Sequence, residues 1–351
     1  MFLTILGLLV FLLPFSAIVC FGSRLRGFLT VFVVSSAFHL LVAFTTQSFQ
    51  IFSYPVIFYT HLVFGILALC VALKYKKISE QKKPIDWFFL FAFTIVVLLF
   101  VSIHYYYSGI VDDVNGVQMV QRSSYTYPLF SDEWSAVSFI NYSIESRSLA
   151  FVNPLNNNAP FINFLVGFHS FVSEIVLLLS FNPLTQYVWF AIANGIFICF
   201  IIYTILRLSG LSVYSASIAM MAISFITNSG NLPGILYLMP FTLSLSFLFS
   251  SISGFLLKDK LITFLSLMIS LVIYPPMIVF IVPILIAILV SKKRGFCMLS
   301  KDAFLFISFF ALILIIILFG IKDFSFGEIS KQFISFLIRE NVEGGIVSFK
   351  I

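Results

Sequence analysis

The polar segment Ser131-Asp132-Glu133-Trp134 carries the side chains of this sequence that are best suited to chemistry. Adjacent carboxylates can bind a divalent cation such as Mg²⁺ or Mn²⁺, or they can accept a proton from an attacking hydroxyl group. Because neighbouring side chains point in different directions on a helix, a substrate needs to meet only one of the two acids. We predict that Asp132 is that acid, and that Glu133 is its neighbour or a second ligand of the cation.

Four further residues near this segment are candidates for binding a substrate. Arg122 and Arg147 lie on the same polar stretch, and a guanidinium group can bind phosphate with a forked set of donors. His169 and Glu174 follow on the next apolar segment, where an acid is costly unless it reaches water or a partner. Each has an ordinary alternative, namely a solvated arginine, a packed histidine or an acid in the membrane interface. No histidine offers the sequence spacing of a metal site.

A short amphipathic helix is predicted to carry the acidic pair. From Glu133 to Leu149, apolar residues recur at spacings of three and four, which is helical periodicity. Ser131 is suited to cap this helix, and negative charge in its first turn is favoured by the helix dipole. An acidic first turn is therefore also the ordinary structural interpretation of Asp132 and Glu133.

The overall composition indicates an all-α, multi-spanning membrane protein. Of the 351 residues, 61% are apolar and only 10% are charged, which is far outside the range of soluble globular proteins. The 46 phenylalanines need a bilayer as their solvent. In such a protein, basic residues stay on the cytoplasmic side of the membrane, so their positions indicate its topology. The net charge of +6 is therefore no indication of a nucleic-acid partner.

About ten membrane spans are predicted, from windows of about 20 residues. Eight of them lie near residues 2–22, 28–46, 56–73, 85–107, 187–206, 211–229, 234–256 and 303–321. The run from Leu261 to Val290 is too long for one crossing, and Tyr274-Pro275-Pro276 interrupts it. We predict a hairpin of two short helices there.

The charges favour segment 161–181 as an interfacial helix on the outer side of the membrane, rather than as an additional span. Asn163, Gly167, Ser170 and Glu174 form one polar stripe on this segment, at spacings of four, three and four. If the segment does not cross, fourteen of the twenty basic residues face the cytoplasm: two at 24–26, five in 74–83 and seven in 207–301. We therefore predict a multi-pass plasma-membrane protein with loop 108–186 on the outer face.

This layout resembles the GT-C superfamily of membrane glycosyltransferases, most closely the protein-mannosyltransferase and aminoarabinose-transferase type. Such enzymes carry an Asp-Glu or Asp-Asp pair after the first core span, and the matching residues here are Asp132 and Glu133. In such enzymes, as in this sequence, an Asn-Pro turn and amphipathic helices along the membrane follow the acidic pair. The resemblance implies a three-span N-terminal addition (1–84), a GT-C-like core (85–321) and an outer-face tail (322–351).

The chemistry implied by the resemblance is inverting transfer of a sugar. The donor would be a polyprenyl-phosphate sugar in the bilayer, and the acceptor a glycan, lipid or protein on the outer face. Asp132 would be the general base or the acid that orients the acceptor, with Glu133 beside it. Arg147 is our prediction for a phosphate contact, and Tyr274 for a residue that shapes the groove of the lipid-linked sugar.

Two other functions fit the same sequence. A polytopic lipid or polysaccharide flippase or transporter would also use many spans and broken helices. Almost no charge lies within the predicted spans, however, whereas ion-coupled carriers usually need buried ionisable residues. A non-catalytic subunit of an envelope glycan assembly system is the third hypothesis.

Overall fold

The computed structural model describes residues 2–21, 23–75, 86–105, 131–225, 235–290 and Gly327. Within these ranges the chain is helical apart from one short β-hairpin. The helices are α1 (Phe2–Leu12), α2 (Arg24–Ser48), α3 (Tyr54–Lys74), α4 (Trp87–Tyr105), α5 (Ser131–Ser146), α6 (Val166–Leu178), α7 (Pro183–Leu208), α8 (Val213–Ser224), α9 (Pro240–Leu256), α10 (Lys260–Ile273) and α11 (Ile278–Val290). Short 3₁₀ helices at Leu13–Cys20 and Pro275–Met277 extend α1 and separate α10 from α11.

Five helical segments in the described ranges are long and apolar enough to cross a membrane. They are Phe2–Cys20, Arg24–Ser48, Tyr54–Lys74, Trp87–His104 and Pro183–Leu208. These segments coincide with the first five predicted spans, as expected for a membrane protein. The helices α8 to α11 are shorter, so ten spans remain a prediction. The predicted span 303–321 and the tail 322–351 lie outside the described residues, apart from Gly327.

Local sequence signals explain where several helices begin. The side chain of Ser23 accepts a hydrogen bond from the Arg26 amide at the start of α2. Asn182 accepts from two amides at the start of α7, where Pro183 occupies the first turn. Asp259 caps α10 through the Ile262 amide, and its other oxygen pairs with Arg26 at 2.6 Å. These caps satisfy amides that have no partner within their own helix.

The predicted helix break is present between α10 and α11, and the hairpin of two short helices stays a prediction. Tyr274 is extended after the end of α10, and Pro275-Pro276 opens the following 3₁₀ turn. The main packing partner of α10 is α9, the preceding helix. Small residues allow this close approach, and the Ser244 hydroxyl donates to the Ser270 carbonyl across the contact at 2.8 Å.

Helix α6 lies at the centre of the packing and differs from the predicted interfacial helix. Every residue of α6 except Leu177 is buried, so the helix has no polar face toward water. It packs against α2, α3, α5 and α10. Helix α2 belongs to the predicted N-terminal addition and also contacts α10 of the predicted core. The polar stripe of α6 therefore faces other helices rather than a membrane surface.

A valine at Gly167 is expected to lower the free energy of unfolding by about 1–3 kcal/mol, because the contact between α6 and α10 leaves no space. An added Cβ at Gly167 would meet the backbone carbonyl of Val272, which cannot rotate away. The measurement is the thermal denaturation of the purified protein in detergent. The control is Ala222→Val, which adds the same kind of bulk at an exposed position of α8. Equal melting temperatures for the two variants would contradict this packing.

The β-hairpin lies on the polar loop between α5 and α6. Val152–Asn153 pairs antiparallel with Ala159–Pro160. Asn157 and Asn158 have φ angles of 48° and 55° in the turn, a left-handed conformation that asparagine tolerates better than most residues. The asparagine-rich tract is therefore a defined turn.

The predicted orientation can be tested by labelling at this turn. In a cysteine-free background, a cysteine at Asn157, which is exposed, is expected to react with a membrane-impermeant reagent applied from outside intact cells. A cysteine at Lys82, which lies outside the described residues, is expected to react only after permeabilisation. The reverse labelling pattern would invert the predicted topology.

Candidate functional site

The two acids at the start of α5 occupy different environments. Asp132 is exposed, whereas Glu133 is only 2% exposed. One carboxylate oxygen of Glu133 accepts a hydrogen bond from the Leu238 amide at 2.9 Å. Glu133 is thus anchored to the segment that precedes α9, and Asp132 beside it is the acid that a substrate can reach.

The segment 235–239, to which Glu133 is bonded, is held by side chains from three helices. Besides Glu133 of α5, the fully buried Tyr187 of α7 donates its hydroxyl to the Leu238 carbonyl at 2.7 Å. His104 of α4 lies with Nε2 at 2.8 Å from the Leu236 carbonyl. A buried backbone segment needs such partners. They also hold the first turn of α5 in place, which keeps Asp132 at a defined position.

The carboxylates of Asp132 and Glu133 do not converge on one cation. One faces solvent and the other faces the interior, where an oxygen of Glu133 is already bonded to an amide. Mg²⁺ and Mn²⁺ need several oxygen ligands around one point. The donor set of this pair therefore does not fit a shared metal, and no step of the mechanism proposed below uses one.

The other predicted substrate-binding residues are dispersed. Arg147 is exposed just after α5, with a φ angle of 56°. Tyr274 is half-buried at the end of α10, where its ring packs edge-on against Phe241. Arg122 lies outside the described residues, so its relation to the acids stays a prediction.

His169 is a packed residue in α6. Its ring stacks on Phe139 with a centroid distance of 4.7 Å, and its Nδ1 atom lies 2.9 Å from the amide nitrogen of Asn163. Burial lowers the pKa of His169 to about 3, because the charged imidazolium would lose its hydration. The neutral ring can accept the hydrogen bond from Asn163. This environment matches the packed-histidine interpretation.

Glu174 is the predicted site residue that the structure joins to other titratable groups. Its side chain is fully buried, and its Oε2 atom lies 2.5 Å from Nδ1 of His39 in α2. Its Oε1 atom contacts Nε2 of His61 in α3. The two imidazole rings are stacked, with centroids 4.2 Å apart. Three helices thus bring two imidazoles to one carboxylate.

Aromatic rings and a polar network surround this group. The ring of Phe38 packs edge-on against His61, and that of Phe11 lies against His39. One turn away, the Gln47 side chain donates to the Ser173 hydroxyl at 2.9 Å and accepts from the Ser170 hydroxyl at 2.7 Å. These contacts hold α6 at a fixed rotation against α2.

His39 and His61 meet at Glu174 although no histidine offers the sequence spacing of a metal site. The two residues are separated along the chain and share no motif, so spacing could not pair them. A signal was nevertheless available. A histidine in each of two neighbouring predicted spans, beside an acid in a third apolar segment, is rare because ionisable groups in the bilayer are costly.

The chain matches no protein-family model, no curated protein and no solved structure. Any function assigned to it rests on the residues and geometry described above.

Proposed function

We propose that this protein is an integral-membrane glycosyltransferase that moves a sugar from a polyprenyl-phosphate donor to an acceptor on the outer face of the plasma membrane. The observation that carries the proposal is the separation of roles between adjacent acids. Glu133 is buried and bonded to Leu238, while Asp132 is exposed on the same fixed helical turn. A general base needs both a defined position and access to its substrate.

The chemistry is an inverting substitution at the anomeric carbon. Asp132 accepts the proton of the acceptor hydroxyl or amine as the acceptor atom bonds to this carbon. The bond from the carbon to the phosphate oxygen breaks, and polyprenyl phosphate leaves with the bonding electrons. A guanidinium group suits the charge that develops on the leaving phosphate, and Arg122 is the proposed contact. Arg147 follows the last turn of α5, about 20 Å along the helix axis from Asp132, and is too far away to reach the same phosphate.

The test is sugar transfer by membranes that contain this protein. Labelled polyprenyl-phosphate hexoses and pentoses are supplied as a panel of donors, and products are separated into glycan, lipid and protein fractions. Labelled product above that of membranes without the protein supports the proposal. The absence of product with every donor, from protein that is monodisperse after purification, would overturn it.

Transport is a second candidate function, favoured by a specific observation. His39 and Glu174 form a hydrogen-bonded pair in the interior, and His61 contacts the other oxygen of Glu174. These are buried ionisable groups of the kind that ion-coupled carriers need. Movement of a labelled polyprenyl-phosphate lipid across proteoliposomes, abolished by His61→Phe but not by Asp132→Asn, would favour this candidate over the transferase.

A further inference from the structure

The group formed by His39, His61 and Glu174 has the composition and closeness of a metal site. Its ligand atoms, which are one imidazole nitrogen of each histidine and one carboxylate oxygen of Glu174, all lie within 4.8 Å of one another. All three residues are buried, with His39 4% exposed, His61 2% and Glu174 0%. The group lies outside the site proposed for sugar transfer, and no step of that transfer uses it.

The carboxylate of Glu174 lies between the two imidazoles. Nδ1 of His39 and Oε2 of Glu174 form a hydrogen bond. Nε2 of His61 and Oε1 of Glu174 are in contact. Each oxygen of this buried carboxylate therefore faces one imidazole nitrogen, and small movements of the three side chains would turn these atoms toward one ion.

We propose that His39, His61 and Glu174 bind one divalent transition-metal ion, and that zinc suits them best. Two imidazole nitrogens and a carboxylate form a common zinc ligand set, and both oxygens of Glu174 already face a ligand. One donor atom from each of the three residues thus lies within 4.8 Å of the other two. Imidazole ligands disfavour Mg²⁺ and Ca²⁺, which bind oxygen. Ligand atoms that each lie about 2 Å from a zinc ion are roughly 3 Å from one another. The side chains of His39, His61 and Glu174 therefore have to move apart slightly when the ion binds.

The ion would join α2, α3 and α6, because each helix contributes one ligand. Two of these helices are candidate membrane spans, and α6 is the buried helix between them and α10. The Gln47, Ser170 and Ser173 hydrogen bonds fix the face of α6 that presents Glu174. This inference does not depend on the proposed sugar transfer.

The first measurement is the metal content of the purified full-length protein. The protein is dialysed against Zn²⁺ and then against metal-free buffer, and bound metals are measured by inductively coupled plasma mass spectrometry. We expect about one zinc per chain and a melting temperature that falls on addition of a strong chelator. Replacement by Co²⁺ is expected to produce the visible absorption of four-coordinate cobalt. These readouts use wild-type protein and therefore do not depend on whether a variant folds.

Two variants and one matched control locate the ion. His61→Phe keeps an aromatic ring beside Phe38 but removes both nitrogens, and Glu174→Gln removes the anionic ligand. His169→Phe is the matched control. It makes the same change from histidine to phenylalanine as His61→Phe, but at a buried position in α6 that supplies no proposed ligand. Zinc is expected to remain with His169→Phe and to fall below about one-tenth per chain in the other two. Wild-type protein that retains no metal, or ligand variants that retain it, would overturn the proposal. The group would then be held together by contacts between the three side chains alone.

Discussion

Replacement of Glu174 by alanine is expected to lower the free energy of unfolding by about 3–5 kcal/mol, because the buried imidazoles of His39 and His61 lose their hydrogen-bond acceptor and a cavity is left behind. The carboxylate is fully buried and contacts both imidazoles. Its removal leaves two histidine nitrogens without their partner and opens a cavity in the centre of the helix packing. The measurement is thermal denaturation in detergent with a chelator present, so that the pairing of the side chains is measured without metal.

A triple variant separates this pairing from packing. When leucine replaces His39, His61 and Glu174 together, no polar atom of the group is left unpaired, and the loss is expected to be smaller than for Glu174→Ala. Glu145→Ala is the matched control, since Glu145 is an exposed acid of α5, and it is expected to change stability by less than about 0.5 kcal/mol. A triple variant less stable than Glu174→Ala would contradict this account of the buried group.

Asp132→Asn is expected to reduce sugar transfer by about 10²- to 10⁴-fold, which is the usual contribution of a general base. Asparagine has nearly the same shape but cannot take the proton of the acceptor. Because Asp132 is exposed, the abundance and melting temperature of the protein are expected to stay unchanged. Transfer rates are measured at saturating donor, with the amount of protein in the membrane determined in parallel.

The neighbouring acid is expected to behave in the opposite way. Glu133→Ala leaves the buried Leu238 amide without its acceptor and is expected to cost about 1–3 kcal/mol of stability. Glu145→Gln, at an exposed acid of the same helix, is expected to leave both transfer and stability near those of the wild type. If Asp132→Asn retains more than about half of the activity, Asp132 is not the base, since removal of a base costs far more.

Much of the helical framework could be predicted from the sequence. The first five spans coincide with α1 to α4 and α7, since their apolar runs are long and uninterrupted. The break at Tyr274-Pro275-Pro276 is present because proline has no amide hydrogen to donate within a helix. These features depend on residues close together in the chain. Segments outside the described residues, including 303–321 and Arg122, remain predictions, as does the resemblance to GT-C enzymes.

Helix α6 shows where local periodicity was insufficient. Its polar stripe predicted a helix at the interface between membrane and water. Periodicity and composition show only that one face of the helix is more polar than the other, and they do not show what that face contacts. The structure instead places Ser170 and Glu174 against α2 and α3, where Gln47, His39 and His61 supply the polar partners that water would otherwise supply. A polar stripe cannot by itself distinguish these two environments.

The sequence by itself determined that this is an apolar, helical chain with a polar acidic turn at residues 131–134, because composition and periodicity are local properties. Only the tertiary structure decided that Glu133 is an anchor and Asp132 is accessible, since burial depends on a contact with Leu238, 105 residues away. It also decided that His39 and His61 meet at Glu174. Side chains on three different helices become neighbours only through helix packing, which no local pattern encodes.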